Sequence, residues 1–197
     1  MKTAMPGYYR KNAACGVVHK AQASPADRRD AVVQVVYWCL VIAMHETLGM
    51  GKERLEKFGA AMSNAVDEYE TKCAALGAPR ADAWLEEKTA GLVFVLPADR
   101  PIKKDKDRME LARKRQAAEP VWRLCAAAMG KIGYGDARRQ RWLDGAKKEY
   151  LWFLEWAKDG DGYGFERLRA ALEQILHEEM ELTEEPGKLP VFSDRIW

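Results

Sequence analysis

The feature that most restricts how this chain can fold is a nearly continuous apolar run over residues 31–44, which only Gln34 interrupts. Ser24-Pro25-Ala26-Asp27 precedes it and is a typical helix start, because Ser can cap, Pro suits the first turn and Asp completes a capping box. A helix that is apolar on every side has to be covered on every side. The run is shorter than the roughly 20 residues that cross a bilayer. We therefore expect a buried core helix that ends near Leu48, and no membrane span.

Further helices follow, separated by Gly and Pro residues. Their predicted spans are 52–76, a short helix that begins at Asp82, 102–132 with a division at Pro120, 136–158 and 165–182. Residues 92–96 read Leu-Val-Phe-Val-Leu, which fits either a short strand or a continued helix, and Pro97 ends both. A chain made of such segments predicts an all-α fold.

Two segments of the chain align with each other without gaps. They are Leu48-Gly49-Met50-Gly51-Lys52-Glu53-Arg54, with Phe58 four residues later, and Ile132-Gly133-Tyr134-Gly135-Asp136-Ala137-Arg138, with Trp142 four residues later. Each copy joins an apolar helix to a long one, which we interpret as a corner between helices. The first Gly would take a positive φ, the residue between the glycines would plug the core, and the Arg would reach carbonyls of the preceding helix.

The duplication predicts two related three-helix units, packed into one compact helical domain or forming two small ones. The boundaries are an N-terminal arm at 1–23, a first helical unit at 24–98, a second helical unit with a basic connecting helix at 99–182, and a C-terminal tail at 183–197. The G-x-G of each corner is a weak sign of phosphate binding, because no strand precedes it and the third Gly of the dinucleotide motif is missing.

The first copy, from His45 to Phe58, resembles a segment of small prophage-encoded helical proteins, most of them without an assigned function. The resemblance covers roughly residues 32–95. The second copy departs from it, with Arg139 and Gln140 where the first has Leu55 and Glu56. The resemblance implies an origin in a mobile element, and it carries over no catalytic residues.

The chain contains no recognisable catalytic or metal-binding motif. Its cysteines form no C-x-x-C pair, so we expect reduced thiols. His45-Glu46 and His177-Glu178-Glu179 do not complete H-E-x-x-H, and the loop after Asp159 lacks the later ligands of a calcium site. We expect no metal, no other cofactor and no enzymatic activity. The open alternative is a site assembled on facing helices from Asp67, Glu70, His45 and His177.

Charge is segregated along the chain. Residues 99–148 hold 15 basic and 7 acidic residues, whereas residues 149–197 hold 5 and 12. The basic candidates for contact with a partner or with nucleic acid are Lys103, Lys104, Lys106, Arg108, Arg113, Lys114, Arg115, Arg138, Arg139 and Arg141. The acidic candidates are Glu178, Glu179, Glu181, Glu184 and Glu185. A solvated helix face and a solubilising helix end are the alternatives for the two groups.

Together these features predict a non-enzymatic interaction protein of the phage or prophage type. We expect an anti-CRISPR-like inhibitor of a host defence nuclease, which binds the nuclease or blocks its nucleic-acid cleft. The expected partner is a host protein such as a CRISPR effector nuclease, met in the cytoplasm of a bacterial host cell. The alternative is a nucleic-acid-binding accessory or regulatory protein of phage replication, with DNA or RNA phosphates along the basic segment.

Overall fold

The computed structural model describes residues 25–98, 101–160 and 162–177, and the backbone of residues 182–183 and 191–192. Its helices are α1 Pro25–Leu48, α2 Lys52–Leu76, α3 Ala78–Lys88, α4 Asp105–Lys131, α5 Asp136–Trp156 and α6 Tyr163–Leu176. Two short strands, β1 Leu182–Thr183 and β2 Val191–Phe192, pair antiparallel with Leu182 opposite Phe192. The all-α fold class is confirmed. The predicted N-terminal arm lies outside the described residues.

Several helix boundaries differ from the sequence prediction, and α4 begins at Asp105 rather than at residue 102. The division at Pro120 is wrong, because α4 continues through it. A proline inside a helix loses one backbone hydrogen bond, and here the buried neighbours Ala118 and Trp122 hold the helix in place on both sides of it. The third helix begins at Ala78 rather than Asp82, since Pro79 suits its first turn. The last helix ends at Leu176 rather than near residue 182.

The core helix α1 is buried along residues 35–44 and packs most extensively against α5, with further contacts to α4 and α6. In turn, α4 packs against α2 and α3. The first helix of each sequence copy therefore contacts the second and third helices of the other copy. Two separate three-helix units are not confirmed, and buried side chains from both halves form one hydrophobic cluster. The domain boundaries stay an interpretation of the sequence.

A window of α1 that is longer than the apolar run is still apolar on average. Ala31–Leu48 is long and apolar enough, by length and composition alone, to cross a membrane. That window reaches 18 residues by including His45, Glu46 and Thr47, whereas the uninterrupted apolar run ends at Met44. Burial of its central residues among other helices is what a core helix requires, and it favours that interpretation over a span.

The two corners have the predicted glycine geometry. Gly49 has a φ of 64° and Gly133 a φ of 90°, both in the region that only glycine adopts without strain. Met50, between the first pair of glycines, is completely buried and plugs the core as expected. The aromatic residues Phe58 and Trp142 are buried too, and the Trp142 indole N–H donates to the Leu40 carbonyl of α1 at 2.8 Å.

The arginine of the corner was assigned to the wrong position. Arg54 and Arg138 are exposed, whereas Arg139 reaches back to the preceding helix. Its Nη1 donates to the Ala126 carbonyl at 3.0 Å, and its Nη2 donates to Asp136. An aligned arginine at 54 and 138 suggested a shared role, but one residue of helix turns a side chain by about 100° and changes what it can reach.

Candidate interaction surface

An extended segment, residues 92–98, lies between α4 and α5. Within the described chain it is neither a helix nor part of a paired strand, so both interpretations of 92–96 miss its structure. Leu92, Phe94 and Leu96 are buried, while Val93 and Val95 are exposed. This alternation has the period of two that belongs to extended backbone. The segment therefore inserts every second side chain into the core and presents the others to solvent.

Side chains from the flanking helices make the hydrogen bonds that neighbouring strands would otherwise make. The Val93 amide donates to Gln140 Oε1 at 2.9 Å, and Gln140 Nε2 donates to the Val93 carbonyl at 3.0 Å. On α4, Arg115 Nε donates to the Leu96 carbonyl at 3.0 Å. Successive residues of an extended chain direct their backbone groups to opposite sides. α5 therefore holds one edge of the segment and α4 the other.

The exposed side chains of this segment form an apolar centre between basic margins. Val93 is 63% exposed and Val95 is 45% exposed. The α4 margin carries Arg115, and the α5 margin carries Arg141 next to Gln140; both arginines are exposed. The exposure of these valines was not predicted from the sequence, because it depends on residues far away in the chain. We call Val93, Val95, Arg115 and Arg141 the valine surface.

The other basic candidates of α4 lie at its start and along its first half. Arg108 pairs with Asp105 at 3.3 Å and Lys114 pairs with Glu110 at 3.2 Å, so these charges are partly neutralised within the helix. The described part of the chain shows no ion pair for four exposed members of the group, which are Lys103, Lys104, Lys106 and Arg113.

Of the basic residues on α5, Arg138 and Arg141 are exposed, but Arg139 is not available to a partner. Its side chain is 12% exposed and is occupied at the second corner. The acidic candidates Glu178, Glu179, Glu181, Glu184 and Glu185 lie outside the described residues.

A shallow groove opens where the extended segment ends, between the first half of α4 and the second half of α5. Its cavity volume is only about 30 Å³, and it is partly open to solvent. Its lining consists of Pro97, Ala98, Ile102, Asp107, Glu110, Leu111, Lys114, Tyr150 and Leu154. The groove has both apolar and polar lining, and its polar side chains include the Lys114–Glu110 ion pair, Asp107 and Tyr150.

A second exposed apolar feature lies on α5. Trp152 is 54% exposed, and its ring centroid is 6.4 Å from that of Trp156, with the planes tilted by 35°. The guanidinium of Arg167, from α6, lies 5.3 Å from the centroid of the Trp156 ring. The aromatic load of this helix is visible in the sequence, but which of its rings face solvent depends on how α1 and α6 pack.

The buried titratable groups lie in the contact between α1 and α5. Glu149 is 7% exposed, and its burial, together with the nearby charge of Glu46, raises its pKa to about 7. Burial also raises the pKa of the Cys39 thiol well above its usual range, and Glu149 adds to the effect. A completely buried thiol with a raised pKa is unreactive. Both groups lie in the buried contact between α1 and α5.

No group of three or more His, Cys, Asp and Glu side chains lies close enough to hold a metal ion in the described part of the chain. The alternative site built from His45, Asp67, Glu70 and His177 is not among the clusters that the fold assembles there. Comparison of the chain with protein-family models, curated proteins and solved structures gave no match. A functional proposal therefore has to rest on the chemistry of the surface.

Proposed function

We propose that this protein is a non-enzymatic interaction protein of the phage or prophage type, which inhibits a host defence nuclease by binding directly to it. The observation that supports binding to a protein is the valine surface. Specific protein interfaces have an apolar centre and a polar margin, whereas nucleic-acid interfaces are more polar and more positively charged throughout. Two exposed valines in the middle of a basic margin fit the first description better.

The way the valines are held also supports this function. Both edges of the segment are fixed, by Gln140 on one side and Arg115 on the other. A surface that is already ordered loses little conformational entropy when a partner binds. The three buried side chains of the segment anchor it further to the core.

The charge of the margin favours one of the two inhibition mechanisms. Arg115 and Arg141 would meet carboxylates on the partner, because opposite potentials face each other across interfaces. A nuclease cleft is itself basic, since it binds phosphates. The valine surface therefore fits an acidic site outside the cleft, and direct binding to the nuclease is the mechanism we propose. The nuclease as target rests on the resemblance of residues 32–95 to prophage proteins.

The test is affinity capture from host cells with the tagged full chain, under nuclease digestion, followed by mass spectrometry and an activity assay of the captured nuclease. We expect capture of a defence nuclease and loss of its activity. A Val93→Asp, Val95→Asp variant should weaken capture by at least about a hundredfold, because a carboxylate buried in an apolar contact costs several kcal/mol.

The matched control is Leu76→Asp, which places a carboxylate at an exposed apolar residue of a different element, α2. It should capture the nuclease as well as the unchanged chain does. Equal capture by the double valine variant would contradict the proposal, and so would capture of proteins that include no nuclease.

A second candidate function, nucleic-acid binding for phage replication or regulation, is favoured by the cations of α4 that lack ion pairs. Phosphate contacts strengthen as salt falls. Replacing Lys103, Lys104, Lys106 and Arg113 by Gln should then abolish a mobility shift of duplex DNA at low salt. Absence of any shift with the unchanged chain at low salt would remove this candidate.

A further inference from the structure

We infer that the exposed face of α5 binds single-stranded nucleic acid, with a base stacked on Trp152 beside Trp156 and phosphates held by the cations on either side of these two rings. This surface shares Arg141 with the valine surface but otherwise consists of different residues, and the inference goes beyond the proposed function. It does not require that the protein inhibit a nuclease.

The exposure of Trp152 is the first observation. Three other tryptophans of the described chain, Trp38, Trp122 and Trp142, are buried in the core. Trp152 instead leaves about half of its surface in solvent and packs only obliquely against Trp156. An indole face that is open to solvent gives a base a stacking surface, and every base can use it because every base has a π face.

The position of the cations is the second observation. Arg141, Lys148 and Trp152 are spaced seven and four residues apart, which places them along one face of the helix. Arg141 and Lys148 are both exposed. At the other end of the row, Arg167 covers one face of Trp156. The row from residue 141 to residue 156 is about 22 Å long at 1.5 Å per residue, which is enough for several nucleotides of an extended strand.

Glu149 follows Lys148 but is buried, and the exposed Glu46 of α1 lies near it. The other acidic residues near this row have partners or lie beyond its end. Glu155 pairs with Lys158, and the Asp144 carboxylate accepts a hydrogen bond from Gln140 Nε2 at 3.1 Å. Asp159 lies beyond Trp156, past the end of the helix. The row itself therefore presents positive charge to a partner, and a polyanion is the complementary occupant.

The alternation of cations and aromatic rings along α5 favours a nucleic acid over a protein as the partner that binds there. A protein interface would bring several apolar side chains together around the indole. Here the other exposed large apolar residue of α5 in the described chain is Leu151, which is 44% exposed. The residue one turn before Trp152 is Lys148, and the ring one turn after it is covered by Arg167. Cations interleaved with rings match the alternation of phosphates and bases along a single strand.

The test measures binding of a fluorescein-labelled oligothymidylate of about 12 nucleotides by anisotropy and by quenching of tryptophan fluorescence, as a function of salt. We expect binding at low salt. Trp152→Ala should weaken it by about tenfold or more, whereas Trp152→Phe, which keeps an aromatic face, should stay within a few fold of the unchanged chain.

A second measurement tests the contribution of the cations with the variant Lys148→Gln. Its matched control is Lys57→Gln, on the exposed side of α2. Loss of one phosphate contact should lower the slope of log K against log salt by about 0.7 for a single strand. Lys57→Gln should leave the slope unchanged.

Three outcomes would overturn the inference: no binding by the unchanged chain at low salt, equal binding by Trp152→Ala, or equal affinity for duplex DNA of the same length. The unchanged chain could also self-associate and fail to bind the oligonucleotide. If Trp152→Ala then makes it monomeric, the exposed face of α5 is a contact between two copies of the chain, and the inference is wrong. Capture of the nuclease by the Trp152→Ala variant would leave the proposed function standing in each case.

Discussion

The side-chain amide of Gln140 makes both backbone hydrogen bonds of Val93, accepting from its N–H at 2.9 Å and donating to its carbonyl at 3.0 Å. The two residues are 47 positions apart in the chain. Buried backbone N–H and C=O groups that lack a hydrogen-bond partner destabilise a fold. An extended segment outside a sheet has no neighbouring strands, so other groups have to make these hydrogen bonds. Gln140 supplies them on the α5 side and thereby connects the end of the first half of the chain to the start of α5.

Gln140→Ala should lower the free energy of unfolding by about 1–2 kcal/mol, because it removes two hydrogen bonds worth about 1 kcal/mol each, partly replaced by water. Denaturant unfolding followed by circular dichroism measures this. Gln116→Ala is the matched control, since Gln116 is an exposed glutamine of α4 and should change stability by no more than about 0.5 kcal/mol. Equal values for the two variants would show that the amide contributes nothing.

The sequence predicts the parts of this fold that depend on neighbours in the chain. The burial of α1 follows from its apolar composition, and the positive φ of Gly49 follows from its position at a helix end. The extended segment does not follow from its own residues, because Gln140 and Arg115 hold it and both are far away in sequence. The choice of Arg139 over Arg138 depends on helix rotation at the corner, which an alignment of two copies does not resolve.

The two glycines of the first corner should respond differently to substitution. Gly49→Ala should destabilise the protein by about 1 kcal/mol or more, since Gly49 has a φ of 64° and an Ala side chain is strained there. Gly51 has a φ of −83°, which any residue adopts, and no atom lies within 4 Å of where its Cβ would be. Thermal unfolding should therefore show a clear loss for Gly49→Ala and little change for Gly51→Ala. The reverse order would contradict the corner geometry.

The close contact between α1 and α5 depends on Gly145, because a larger residue at this position would meet α1. A Cβ at Gly145 would clash with Thr47 Oγ1 and would lie 3.3 Å from Thr47 Cβ. Gly145→Ala should thus destabilise the protein by about 1–3 kcal/mol, as overpacked cores do. Thr47→Ala in the same chain should recover part of the loss, because it removes the oxygen that the new methyl group meets.

Gly59→Ala is the control for this substitution. Gly59 lies inside α2, and no atom lies within 4 Å of the point that an added Cβ would occupy. Alanine has the higher helix propensity, so this variant should gain about 0.5–1 kcal/mol of stability. Denaturant unfolding of the three variants separates the helix-propensity gain from the packing loss. A stabilising Gly145→Ala would mean that α1 and α5 are less closely packed than described.

The buried carboxyl of Glu149 should make stability depend on pH. Burial and the nearby Glu46 raise its pKa from 4.5 to about 7 in the folded state. Between these two values the folded protein holds a proton that the unfolded chain has released, so stability falls as pH rises. The contribution of the protonated Glu149 to the free energy of unfolding is complete below about pH 4.5 and is lost once the pH has risen through 7. At 1.36 kcal/mol for each pH unit, the loss is at most about 3 kcal/mol.

Glu149→Gln, which cannot ionise, should remove this part of the pH dependence. Its stability relative to the unchanged chain should rise between about pH 4.5 and 7.5 by up to about 3 kcal/mol, because the unchanged chain has to bury a charge at the higher pH and the variant does not. Denaturant unfolding at several pH values measures the difference. Glu56→Gln, on the exposed side of α2, controls for the loss of a surface carboxylate and should keep the slope of the unchanged chain. A constant difference between Glu149→Gln and the unchanged chain over this range would show that Glu149 releases its proton as readily when folded as when unfolded.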